Sequence, residues 1–173
     1  MATLIKGRRV IPDSWRLLEA DAAEVPGEGD VIMPLALWQA QRLQLLARPA
    51  RLGLRLEPNE DPAAIAGDVG LFGVIAVNFP KFGDGRGYST ARLLRERYGY
   101  KGELRAIGDV LRDHLSFMAS CGFDAFALRD DQDPQEALAA FDDFTEAYQA
   151  SVERPMPLFR RRALVAPDGM EWS

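Results

Sequence analysis

Residues 78–112 read N-F-P-K-F-G-D-G-R-G-Y-S-T-A-R-L-L-R-E-R-Y-G-Y-K-G-E-L-R-A-I-G-D-V-L-R. An apolar run over 72–79 leads into this stretch. Its continuous hydrophobicity suits a strand covered on both faces, as in a parallel sheet. A glycine-punctuated loop, 81–87, follows it. The pattern then predicts a helix over 88–98, a short strand over 103–107 and a second helix over 109–121, with Asp109 as N-cap and Gly122 as stop. Two strand-to-helix junctions therefore arrive about thirty residues apart, both with arginine near a helix start, the end where the helix dipole disfavours positive charge. That arrangement points to an anion site.

The same alternation extends outward. Residues 31–33 are a short apolar run. Pro34 then fits the first turn of a helix that Pro49 ends. Residues 52–56 alternate like a strand. Asp61-Pro62 reads as an N-cap with proline at the first helical position, opening a short helix over 62–66. Residues 123–128 form another strand, and Asp133-Pro134 opens a last long helix to about residue 151. The expected fold class is α/β: repeated βα units with right-handed crossovers and a mostly parallel sheet of about five strands. Spacing leaves an open three-layer sheet and a partial barrel both standing, since five strands do not close an eight-stranded barrel.

A short N-terminal β-hairpin precedes this core, with residues 3–10 as one arm and 15–18 as the other. The expected organisation is a single domain over 1–173. Its parts are the hairpin 1–19, an acidic linker 20–30, the βα core 31–151 and an extended tail 152–173.

Composition narrows the chemistry. The 173 residues are 47% hydrophobic and 27% charged, those of an ordinary globular protein, and the net charge of −5 argues against a nucleic-acid partner. No apolar run reaches the roughly 18 residues of a membrane span, and the first residues lack the apolar core of a signal peptide, so a cytoplasmic location is expected. One cysteine, Cys121, and one histidine, His114, make neither a disulfide nor a structural zinc or iron–sulfur site. No metal is expected and no cofactor motif is evident; the 81–87 loop matches neither the Walker nor the dinucleotide pattern. Redox chemistry would fall to a bound organic cofactor or to a partner's centre.

The candidate anion-binding residues are Lys81, Arg86, Ser89, Arg92, Arg105 and Arg112. Backbone N–H groups of a glycine loop opening a helix attract anions. Against this stands a plain turn with a Ser89 cap and solvated arginines. Arg105 lies mid-strand, where burial demands a counter-charge; Asp84, Asp109, Glu103 or a bound anion would supply it, and a structural ion pair would satisfy it equally. Asp109 and Asp113 are the candidate general bases, with the arginines as an oxyanion clamp. Cys121 ends an apolar helical face and reads as a core residue. His114 neighbours Asp113 in sequence, and adjacent helical residues do not face each other, which makes it a weak catalytic candidate.

The run over 84–126, D-G-R-G-Y-S-T-A-R-L-L-R-E-R-Y-G-Y-K-G-E-L-R-A-I-G-D-V-L-R-D-H-L-S-F-M-A-S-C-G-F-D-A-F, closely resembles the signature of a bacterial family of unknown function. Its members are commonly labelled oxidoreductases of sulfite reduction, and the likeness extends more weakly over about residues 4–148. The positions that carry it are Asp84 to Ser89, Arg92, Gly102, Glu103, Arg105, Gly108, Asp109, Arg112 and Asp113, with His114 where glutamine is expected. The resemblance implies a role in sulfur assimilation beside a sulfite reductase haemoprotein. That suggests an accessory protein for substrate or electron delivery, with a small oxyanion or the partner's acidic groups meeting the arginines. A free-standing enzyme on a small anionic or phosphorylated substrate, and a sulfur-metabolite binding module, are the alternatives.

Overall fold

The computed structural model describes residues 3–81 and 83–139. The chain divides into two compact units, Met1–Gln135 and Glu136–Ser173. The expected tail 152–173 and the end of the expected last helix lie outside the described residues.

The first unit is α/β. Its strands are β1 (Thr3–Lys6), β2 (Arg9–Pro12), β3 (Arg16–Leu17), β4 (Val31–Pro34), β5 (Leu52–Leu56), β6 (Val74–Phe79), β7 (Glu103–Gly108) and β8 (Ala125–Phe126). All eight join one sheet in the order β2-β1-β8-β7-β6-β5-β4-β3. From β3 to β8 every neighbouring pair is parallel and consecutive in the chain. β1 runs antiparallel to β8, and β2 antiparallel to β1.

This corrects two expectations. The sheet has eight strands rather than about five, and the N-terminal hairpin belongs to it. The hairpin is also shorter than expected. Both of its arms lie within 3–12, and the turn sits at Gly7-Arg8, where both residues have positive φ (59° and 64°). That pair of dihedrals is the tight turn whose twist matches a hairpin. Residues 16–17 leave the hairpin and lie parallel to β4. The acidic segment 20–30 accordingly connects β3 to β4.

The edge strands reveal the curvature. β2 and β3 occupy opposite edges, yet only residues 13–15 separate them. A flat sheet of eight strands would part its edges by about 34 Å, at about 4.8 Å per step. Four Cα steps, Pro12 to Arg16, reach at most about 15 Å. The sheet must therefore curl into an incomplete barrel, with residues 13–15 spanning the gap.

Curling gives the sheet an inner and an outer face. Helix α1 (Leu35–Leu46) and helix α2 (Arg86–Arg92) cover the outer face. Trp38 of α1 meets Phe72 edge-on at 5.0 Å. Gly87 of α2 sits so close to Phe79 and Val77 that a Cβ there would clash with the Phe79 ring. Inside, Ile32, Val74, Ala76 and Ile107 form an apolar layer with Trp15 and Ala127 packed on it. The Trp15 ring lies against Gly53 and Gly73, at the amino ends of β5 and β6, and plugs that end.

Helix boundaries differ from expectation where the backbone takes another route. Helix α2 starts at Arg86 and passes into a π turn, Leu93–Arg97. Asp109 caps no helix. Gly108 at φ 93° turns the chain at the end of β7, and Val110 is buried. Only after an extended Leu111 do a 3-10 turn (Arg112–His114) and the short helix α3 (Leu115–Ser120) form.

Candidate functional site

In parallel βα sheets, the loops at the carboxyl ends of the strands collect ligands, while the amino ends mainly hold the fold together. The inner face of this sheet divides in the same way.

At the amino end lies a charged clasp. Arg105 of β7 is 3% exposed. Its Nε donates to Glu103 Oε2 at 2.7 Å and its Nη1 to Asp13 Oδ2 at 2.9 Å. Lys6 Nζ donates to Glu103 Oε1 at 2.8 Å. Glu103 is among the counter-charges expected for Arg105; Asp13, 92 residues away in the chain, is not. Asp13 sits in the link between the sheet edges and also accepts from the Trp15 backbone N–H. The clasp thus ties the edge-bridging link to the middle of the sheet.

At the carboxyl end lies a polar rim of which sequence reasoning singled out Asp109 and missed Arg55, Glu57, Asn78 and Arg129. Arg55, inward-facing on β5, donates from Nη1 to the Leu18 carbonyl at 2.9 Å and from Nε to Glu57 Oε2 at 3.0 Å. Asn78 Nδ2 donates to Glu57 Oε1 at 2.7 Å. On the next strand Asn78 is in register with Ile107, and the Asp109 N–H continues the ladder to the Phe79 carbonyl. Asp109 in turn accepts from Arg129 Nη1 at 2.7 Å, and Arg129 Nε and Nη2 also grip Asp131. These carboxylates hold the Arg129 pKa above its ordinary value, Asp131 contributing first, and the guanidinium lowers that of Asp131. Gly108 leaves room here: a Cβ would run into the Asn78 side-chain oxygen and the Phe79 carbonyl. The detectable signal for this rim was Arg55 in Leu-Gly-Leu-Arg-Leu, the same mid-strand arginine that marked Arg105.

A cavity of about 490 Å³ opens beside the rim, lined by Leu4, Asp13, Trp15, Leu17, Ala127 and Arg129 among others. That volume is within the range of small-molecule sites.

Among the other sequence-derived candidates, Arg112 reaches the rim's edge through its backbone N–H, which donates to Gln132 Oε1 at 3.2 Å. Arg86 opens α2, but its guanidinium is paired bidentately with Asp84 at 2.7 and 3.0 Å. That pairing, with the Arg86 backbone N–H, pulls the Asp84 carboxyl down to about 2. Arg86 and Ser89 border an open depression whose other wall carries Glu60 and Asp61. Arg92 is in the last turn of α2, the end that welcomes a cation. Lys81 is exposed, and Ser89, Arg92, Arg112 and Asp113 all keep part of their surface in solvent, the last two in the 3-10 turn before α3. The structure thus brings Asp109 to the rim and Arg105 to the clasp, ties the Arg112 backbone N–H to Gln132 beside the rim, and leaves Lys81, Arg86, Ser89 and Arg92 exposed elsewhere.

Cys121 is buried. It lies near Tyr88, whose hydroxyl pKa is raised by burial and by the thiol. Among the described residues no group of three or more His, Cys, Asp or Glu side chains is placed to hold a metal ion, and no helix is long and apolar enough to cross a membrane.

Comparison with protein families matches residues 53–159 to the model described as a bacterial protein of unknown function (DUF934). No curated protein matches the chain.

Proposed function

The chain belongs to the DUF934 family of bacterial proteins, and on that premise we propose that it is an accessory protein of sulfite reduction that docks to a sulfite reductase haemoprotein. The metabolic setting comes from the resemblance carried by residues 84–126. The geometry favours contact with a macromolecule over turnover at the arginine junctions. Its carrying observation is that Arg86, Ser89, Arg92, Arg112 and Asp113 of that run keep surface in solvent on and beside α2 and α3. Phe117, 53% exposed, stacks edge-on against Tyr88 at 4.8 Å. Tyr88 and Arg92, four residues apart on α2, share a helix face. An exposed aromatic beside arginines is the composition of an interface anchor, and acidic groups on the partner would complement it.

The test is complex formation between the purified chain and the haemoprotein by titration calorimetry. Arg92→Glu and Phe117→Ala should each weaken binding at least tenfold, about 1.4 kcal/mol, with the melting temperature unchanged. A deletion strain should grow on sulfide or cysteine but not on sulfite. Wild-type affinity in both variants, or normal growth on sulfate without a redundant copy, would sink the reading. A second reading, a free-standing enzyme with Asp109 as general base, draws support from the position of Asp109 on the carboxyl rim. Turnover of a small substrate by the purified protein alone would favour it.

A further inference from the structure

The cavity of about 490 Å³ lies at the seam of the incomplete barrel and shares no lining residue with the docking face around Tyr88 and Phe117. Its walls come from both sides of that seam. Leu4 of β1 and Ala127 after β8 stand on one side, Leu17 of β3 on the other, and Asp13 and Trp15 of the bridging link lie between them. The sheet's inner layer is thin here. Ala127 packs on a layer that includes Ala76, where bulky branched side chains would fill a closed eight-stranded barrel. Leu4 is 2% exposed and Leu17 41%, so one end of the cavity is buried and the other reaches solvent. Trp15 is a fixed aromatic surface within it. Arg51 lies over the ring at 4.8 Å, and Gly53 and Gly73 pack closely against it.

The charges on the cavity wall are engaged with protein partners. Asp13 accepts from Arg105 Nη1 through Oδ2 and from the Trp15 N–H through Oδ1. Arg129 donates from Nε and Nη2 to Asp131 and from Nη1 to Asp109. Asp130, the remaining charged lining residue, is exposed to water. An ionic ligand would have to break one of these pairs and strand its partner, which is costly. A neutral ligand leaves them intact and gains by burying apolar surface against Leu4, Trp15, Leu17 and Ala127. An aromatic one gains further from ring contact with Trp15. We propose that the seam cavity binds a neutral small molecule with an aromatic body, seated against Trp15 and Leu4, with Leu17 at the mouth. The ligand class is therefore distinct from the oxyanion expected of the arginine-rich junctions.

Phenyl-α-naphthylamine, a neutral dye that brightens in apolar surroundings, is the probe, titrated with the full chain and followed by fluorescence. It should bind saturably at one site per chain. The competitors share one ring system: α-naphthalenemethanol is neutral, α-naphthoate anionic and α-naphthylmethylamine cationic. The alcohol should displace the dye at a concentration at least tenfold lower than either ion. Ala127→Leu narrows the cavity and should weaken the dye at least tenfold. Leu17→Asp, at a position already 41% exposed, places a charge at the mouth with little demand on the fold, and the same loss is expected. Leu43→Ser removes an apolar side chain that is 80% exposed on α1 and should leave binding unchanged. Melting temperatures show which variants fold, and Leu17→Asp decides the matter if Ala127→Leu does not. Brightening that never saturates, an ion displacing the dye as well as the alcohol does, full affinity in a folded Ala127→Leu or Leu17→Asp variant, or loss of binding in Leu43→Ser would overturn the proposal.

Discussion

Replacing Arg105 with methionine tests whether the clasp holds the curled sheet together. The guanidinium is 3% exposed and bonded at 2.7 and 2.9 Å to carboxylates that are 7% and 14% exposed. Methionine fills much of the volume but leaves Asp13 without a cation, while Glu103 keeps only Lys6. Breaking a buried pair from one side costs about 3–5 kcal/mol, because the remaining charge stays desolvated. For a chain of this size that lowers Tm by roughly 6–20 °C. The diagnostic step is the triple variant Arg105→Met, Asp13→Asn, Glu103→Gln. It removes the stranded charges, and the amide oxygen introduced by Asp13→Asn still accepts from the Trp15 N–H. It should recover most of the loss, since apolar or neutral replacement of a whole buried network is often near neutral. Urea unfolding monitored by circular dichroism measures all variants. A loss below about 1 kcal/mol in Arg105→Met, or a triple variant no more stable than the single one, would refute the reasoning.

Two further outcomes follow from the geometry. Tyr100 donates its hydroxyl toward the Phe72 and Glu103 carbonyls, and burial raises its pKa. A raised folded pKa gives stability that is complete below the unfolded value, about 10, and is lost as pH rises above it. Tyr100→Phe should therefore cost about 1 kcal/mol at pH 7 and flatten the stability decline above about pH 10, which chemical unfolding at a series of alkaline pH values would record. Gly108→Ala should destabilise by more than about 1 kcal/mol, since it combines a positive φ with backbone contact. It should also displace Asn78 from Glu57, visible as a shifted Asn78 side-chain amide signal in NMR spectra.

Much of the parallel core was legible because buried parallel strands are continuously apolar. The runs at 52–56 and 72–79 correspond to β5 and β6, and Asp61 caps the turn at Pro62–Ile65 as its sequence implied. The sheet's edges were not legible. A strand of two residues such as β3 carries too little periodicity, and β1 takes β8, far along the chain, as its second partner, which nothing local to either strand shows. Arg105 announced its need for a counter-charge, but nothing local to Asp13 identified it as the supplier. The helix expected from Asp109 failed because a polar residue after glycine reads as a cap, whereas here it extends the sheet's ladder to Phe79. Asp109 was singled out, but the grouping around it was not legible, because Glu57 and Asn78 meet only across strands.

The hairpin placed at the far edge also bears on the order of assembly. Ile5 pairs with Phe126, so β1 waits for β8, which follows six other strands in the chain. Closing so long a loop adds little to the equilibrium cost, about 0.6 kcal/mol per doubling of length. It does raise the mean sequence separation of contacts, which slows folding. On the ribosome, β4 to β7 can stack in the order they emerge. The hairpin leaves the exit tunnel before β3 to β8 and docks late, and until it does the outer edge of β8 stays open to strands of other chains.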